Sequence, residues 1–305
     1  MKYIVTSIML LLSIQGLAQK QYADTLYSPP PFAHLYEAGK GPTVFIDEAH
    51  HNFHTKDGRY RPFAHILELD GYQVASNEKP FSKKNLSQAG ILVISNALPE
   101  SSVDEWVAPT ASAFTDDEID ALETWVRKGG RLFLIADHMP MAGAARDLGA
   151  AFGFTFYDSF ADDSTTASGA EIFTRNDGSL SSNIITGGIK GFPAADSVTS
   201  FTGQAFQIPA TAQSILNCGE GWIAALPDTA WVFPEDVKIL DARGWSQGAF
   251  MDYGKGKIVV FGEAAMFSAQ IAEIDENTRY NAGMNSPRGK NNYKLLVNII
   301  RWLDM

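Results

Sequence analysis

The sequence predicts an α/β protein built on a mainly parallel sheet, with helices on both faces and a β-rich insertion. Three observations lead there. From about residue 42 to 156, short apolar runs alternate with amphipathic segments, and that order produces right-handed crossovers between parallel strands. One run, "GILVISNA" (90–97), is apolar almost throughout, as a strand covered on both faces must be. From about 157 to 253 the helical period disappears while Ser, Thr, Gly and Asp become frequent, which marks the insertion.

In chain order, Met1 and Lys2 precede an apolar stretch from Tyr3 to Ile14, followed by the small residues Gly16 and Ala18. This predicts a cleaved signal over 1–18, too short to span a bilayer, and a secreted or periplasmic protein. The only cysteine, Cys218, lies far beyond the signal, so no lipid-bearing cysteine stands at the cleavage site; it is expected to be a buried small apolar side chain. Residues 19–41 contain three consecutive prolines and read as an extended surface arm. The single α/β domain is expected over 42–305.

"PTVFID" (42–47) reads as the first core strand. Pro62, Gly71 and the apolar Phe63, Ile66, Leu67 and Leu69 place a helix in "RYRPFAHILELDGY". "QVAS" and "GILVISNA" are strands. "TDDEIDALETWVRKGG" (115–130) is a helix with Thr115 and Glu118 as a capping box, acids in the first turn, and Gly129 and Gly130 as its stop. "RLFLIA" is the next strand, and "MAGAARDLGAAFGF" has the small residues of a helix lying close against a sheet. Within the insertion "SVTSFTG" and "WIAAL" are short strands. "GKIVVFGEAAMF" returns to the core pattern, and "NNYKLLVNIIRWLDM" closes the chain as an amphipathic helix.

The net charge of −11 argues against nucleic acid or an anionic membrane as the main partner and favours a neutral or cationic ligand. No later run is long enough to be an integral membrane segment. No glycine fingerprint for phosphate follows a strand, so a nucleotide cofactor is not expected.

Ligands of such sheets bind beyond the carboxyl ends of the strands. After "VFI" come Asp47, Glu48, His50, His51 and His54; after "ILVIS", Asn96; after "LFLIA", Asp137 and His138; after "IVVFG", Glu263. Four of the six histidines thus follow strand ends that the fold brings to one edge. Polar strand exits are ordinary; their clustering is not. Imidazoles and carboxylates suit a divalent metal such as zinc, with His50, His54, Asp47 and Glu48 as its expected ligands. Without a metal, Asp137, His138 and Glu263 suit general acid–base catalysis. Asn96, Gln270 and Asn285 are expected to bind a small-molecule or glycan ligand through its hydroxyls. Trp245 and Tyr253 read as packing residues, His34 and His65 as structural, and Asp158, Asp162 and Asp163 as a solvated turn.

"KGGRLFLIADHMPMAGAARDLGAAFGF" resembles the central unit of the class I glutamine amidotransferase-like superfamily: a glycine-rich entry, an apolar strand, a sharp elbow and a small-residue helix. That resemblance implies a flavodoxin-like parallel sheet, an elbow at Asp137–His138, and Glu263 as the acid of the late strand. The elbow bears no cysteine, so glutaminase activity through a thiolate is not implied. "FIDEAHHN", "IADHMPMAGAA", "SFTGQAF", "FGEAAMFSAQ" and "GMNSP" followed by "LLVNIIRWL" resemble more closely an uncharacterised family of bacterial secreted proteins, a domain of unknown function neighbouring the ThuA-like proteins. Two functions are therefore expected: a hydrolase acting on a carbohydrate-related small molecule, or a non-catalytic glycan-binding or scaffold protein of the cell envelope.

Overall fold

A computed structural model of the chain describes residues 20–166, 171–273 and 278–305. The expected signal, 1–18, lies outside the described residues. The elements before the insertion are strands β1 (Lys20–Ala23), β2 (Thr43–Asp47), β3 (Gln73–Asn77), β4 (Ile91–Ser95) and β5 (Arg131–Ile135), with helices α1 (Arg61–Leu69), α2 (Lys83–Leu86) and α3 (Asp116–Arg127) between them. Helices α4 (Met141–Ala144) and α5 (Arg146–Ala151) follow β5, in place of the one continuous helix expected there. Then come β6 (Phe160–Asp163), β7 (Glu171–Thr174), β8 (Ser197–Ser200), β9 (Gln213–Asn217), β10 (Trp222–Leu226), β11 (Lys238–Asp241) and β12 (Ser246–Tyr253). The chain ends with β13 (Gly256–Phe261), β14 (Ala269–Glu273), β15 (Arg279–Gly283) and α6 (Asn292–Leu303).

The protein is a mixed α/β fold around a seven-stranded sheet of order β3-β2-β4-β5-β13-β12-β9. The first five strands run parallel. β12 runs antiparallel to both its neighbours, β13 and β9, so the sheet is mixed rather than uniformly parallel. The cause is local: β12 and β13 are joined by a tight turn at Gly254, φ 63°, where an added Cβ would sit 2.5 Å from the Arg127 carbonyl. A turn that short permits only an antiparallel pair. The β-rich region accordingly does not stand apart, because two of its strands extend the main sheet.

All five residues of β4 are buried, as its unbroken apolar run requires. In α3 the capping box forms in both directions: Thr115 accepts from the Glu118 backbone, and the Glu118 carboxylate accepts from the Thr115 backbone. The closing helix differs from the amphipathic expectation, because its polar face is buried too. Arg301, 1% exposed, forms a bidentate pair with Asp70 and donates to the carbonyls of Ala33, Ile189 and Lys190. The Asn292 and Asn298 amides bind backbone groups of the inserted region. Arm and insertion together cover what would otherwise be a solvated face. Asp162 and Asp163 are strand residues, since β6 pairs with β10. The arm adds β1 to the edge of β14, giving the small sheet β1-β14-β15. Among the described residues no helix is long and apolar enough to cross a membrane.

Candidate functional site

Four core strands end at one edge, and each exit is fixed by hydrogen bonds. Asn96, after β4, holds a left-handed backbone at φ 50°, a conformation that non-glycine residues adopt at local cost and that clusters at functional sites. Its side-chain oxygen accepts from the Asp137 backbone N–H at 3.0 Å, and its carbonyl accepts from the Phe53 N–H at 2.9 Å. One residue thus ties the exits of β2, β4 and β5 together. Asp137, after β5, accepts from the backbone N–H groups of His138 (2.7 Å) and Ala264 (3.1 Å). That second bond joins the exits of β5 and β13.

His138 donates its Nδ1 proton to the Met139 carbonyl at 2.6 Å, which fixes the tautomer and leaves the Nε2 lone pair for the cleft. The ring stacks on Phe160 at 4.5 Å, with Trp231 edge-on at 4.8 Å. Glu263 is 0% exposed. Burial pushes its carboxyl well above the usual carboxylate range and the nearby Asp137 charge adds to that, against the backbone N–H groups of Met266 and Ala265, each 2.7 Å away. Both causes favour its proton-bearing form.

These side chains open on one cleft of about 430 Å³. Its polar lining includes His54, Asn96, Asp137, His138, Glu263 and Gln270; Phe53, Trp106, Trp231 and Tyr280 supply aromatic walls. Gln21 of the arm's β1 closes one side. Six of the residues predicted from sequence are thus brought together: the three acid–base candidates, two of the three hydroxyl-binding candidates and one histidine of the expected metal set.

The rest of that metal set does not join them. His50, 6% exposed, sits between two carboxylates, with Nδ1 2.8 Å from Asp47 and Nε2 2.9 Å from Glu118, and its ring packs against Phe81 and Phe114. Burial alone would lower its pKa, but the two carboxylates outweigh it and raise it. Both nitrogens are committed as donors, so His50 is a structural clamp rather than a ligand. Asp47 is engaged by His50 and Asn77, and Glu48 accepts from the Lys56 backbone and from Ser76. His54 is alone in reaching the cleft. Among the described residues no group of three or more His, Cys, Asp or Glu side chains is disposed to hold a metal ion. Asn285 also stays out of the cleft, bonding Asp24 and the Gln270 carbonyl. Cys218 is buried, as expected. Trp245 stacks on Tyr157 and Tyr253 packs edge-on to Phe152, so both are packing residues.

Sequence reasoning missed Arg59, Trp106 and Trp231, which lie in loops carrying no motif. It also read Glu118 only as a capping residue, although the same carboxylate accepts a hydrogen bond from His50 Nε2. The spacing of Glu118 from Thr115 explains the cap; nothing in the local sequence points across 68 positions to His50.

Fold and cleft define a class: a mixed α/β protein with a polar, aromatic-walled cleft at the carboxyl edge of its sheet. Within that class the chain belongs to the DUF4350 family, described as a domain of unknown function, which matches residues 55–277. Among solved structures it is similar to the mmIFT52 N-terminal domain, with 14% identity, a TM-score of 0.54 and coverage of 86% of this chain and 96% of that one. At that identity the likeness concerns the fold alone. It also matches ThuA-like proteins from Bacteroides uniformis (14% identity, TM-score 0.46, coverage 91% and 95%) and Parabacteroides merdae (12%, 0.42, 86% and 89%). No curated protein matches the chain significantly.

Proposed function

We propose that this chain is a secreted or periplasmic hydrolase acting on a carbohydrate-related small molecule, without glutaminase activity. The observation supporting it is that Asp137, His138 and Glu263, from two different strand exits, line one cleft together with Asn96, Gln270 and the indoles of Trp106 and Trp231. Aromatic faces beside amide and carboxyl groups are the complement of a sugar, apolar on its C–H faces and polar at its rim.

In this reading His138 Nε2 takes the proton of an attacking water as the C–O bond of a glycoside or ester breaks. Glu263 gives its proton to the departing oxygen, and the Met139 carbonyl on Nδ1 steadies the imidazolium that forms, while Asp137 is anchored on the His138 backbone N–H. In the same proposal the chain is a flavodoxin-like, amidotransferase-like α/β protein whose elbow carries Asp137–His138. Cys218 is 2% exposed and absent from the cleft, and burial pushes its thiol far up, so it offers no thiolate.

The test is a panel of 4-nitrophenyl glycosides and esters offered to the purified protein, with His138→Gln and Glu263→Gln beside it. Turnover that falls about 100-fold or more in either variant supports the reading. Turnover unchanged in both, or absent from the parent protein, ends it. Sugar binding without turnover would instead favour the non-catalytic glycan-binding protein. Elemental analysis decides the metal-assisted form: stoichiometric zinc would replace the metal-free route.

A further inference from the structure

The cleft holds polar groups that the protein itself leaves unmatched. His54 is 3% exposed, yet among the described residues neither ring nitrogen has a hydrogen-bond partner. Gln270 donates to Ser268 at 2.7 Å while its side-chain oxygen, also buried, has no partner among them. Buried polar groups are nearly always paired in native proteins, and leaving one unmet costs about 1–3 kcal/mol. Two in one cleft mark places where something else completes the bonding.

Arg59 lines the same cleft, its guanidinium 3.9 Å above the Phe53 ring. Its polar contact is a long 3.5 Å approach to Gln21, and among the described residues no carboxylate pairs with it. Its charge also acts on His54, which burial and Arg59 hold down to about 3. A neutral imidazole offers one N–H donor and one acceptor. A guanidinium fork beside an imidazole N–H is a donor set for a planar two-oxygen anion.

We propose that the cleft selects a carboxylated sugar, a uronic acid or its glycoside, with the carboxylate on Arg59 and His54 and a ring hydroxyl donating to Gln270. This rests on the carbohydrate reading of the site and names its substrate class. It also reverses the expectation from net charge. The −11 is a sum over the whole chain, and exposed charges are screened over about 8 Å at physiological salt, whereas the Arg59 charge lies in the cleft wall. The oxygens of the cleft's acids are taken up by backbone N–H groups: those of Asp137 by His138 and Ala264, and those of Glu263 by Ala265 and Met266.

Calorimetric titration of the protein with D-glucuronic acid, D-glucose and glucose 6-phosphate tests this. Glucuronate is expected to bind at least tenfold more tightly than glucose, and Arg59→Gln is expected to bring the two within about twofold. His54→Phe, which keeps a ring and removes both nitrogens, should weaken glucuronate several-fold. Equal affinity for glucose and glucuronate in the parent protein, or no glucuronate binding, overturns the proposal without needing either variant. Tighter binding of glucose 6-phosphate overturns the carboxylate assignment in favour of phosphate. The two readings fail separately. Glucuronate selection without turnover of any glycoside or ester sinks the hydrolase and keeps the selectivity, whereas turnover of neutral glycosides with no acid preference does the reverse.

Discussion

Removing the His50 ring should destabilise the whole upper edge of the sheet. In His50→Ala, Asp47 and Glu118 face each other across the space left by an imidazole that was 2.8 and 2.9 Å from them. Breaking a buried charge pair by deleting one partner costs about 3–5 kcal/mol. Each kcal/mol shifts the melting temperature by about 2–3 °C in a chain of this length, so a fall of about 6–15 °C is expected. The pH dependence has a definite sign. The His50 pKa is raised, so its contribution is full below the ordinary value near 6.5 and is lost as pH rises through the elevated one. Glu118 is lowered despite burial, chiefly by His50 and Thr115, so its contribution is present above its ordinary value near 4.5 and fades as pH falls through the lowered one. The clamp is therefore strongest in mildly acidic solution. The difference in melting temperature between parent and variant, followed by circular dichroism from pH 5 to 9, should narrow on the alkaline side. A variant melting within 1–2 °C of the parent at pH 6 would refute the charge-clamp account of His50.

Other expectations follow from single contacts. Thr115→Ala removes the side-chain half of the α3 capping box and should cost about 1 kcal/mol in chemical denaturation. Glu263→Gln deletes a carboxyl whose raised pKa withdraws stability as pH rises through it; the variant should gain on the parent in melting temperature towards alkaline pH, and parallel curves would contradict the upward shift of Glu263. At Gly256 an added Cβ would lie 2.0 Å from the Val126 carbonyl and 2.2 Å from that of Gly130. Gly256→Ala should therefore lose about 1–3 kcal/mol or more, read as a lower melting temperature.

Much of this architecture is legible along the chain. Period and cap chemistry are local, so Thr115 with Glu118 three positions on, the unbroken apolar run of β4 and the Pro62 start of α1 all describe themselves. So does the polarity of the strand exits, and with it most of the cleft floor. Strand direction in the second half was less legible, because β12 owes its reversal to one short turn and β9 pairs with it from across β10 and β11, inside a segment with little period. The two short helices after β5 read as one, since their small residues carry no sign of where the chain breaks.

The histidine-rich loop separates the two kinds of information most clearly. By itself the sequence determined that Asp47, Glu48, His50, His51 and His54 follow a core strand and so stand at the carboxyl edge of the sheet, because alternation of apolar strands and helices fixes where strands end. It did not determine which imidazole serves which purpose, since His50 and His54 lie four residues apart in the same loop. Only the tertiary structure decides that, by delivering Glu118 from α3 to one ring and Arg59, with an open cleft, to the other. The physical reason is that a side chain's role is set by the charges and donors within a few ångströms of it. For His50 one such neighbour comes from 68 positions away, and for His54 the cleft itself is walled by the exits of other strands, so both roles depend on the packing of the whole sheet.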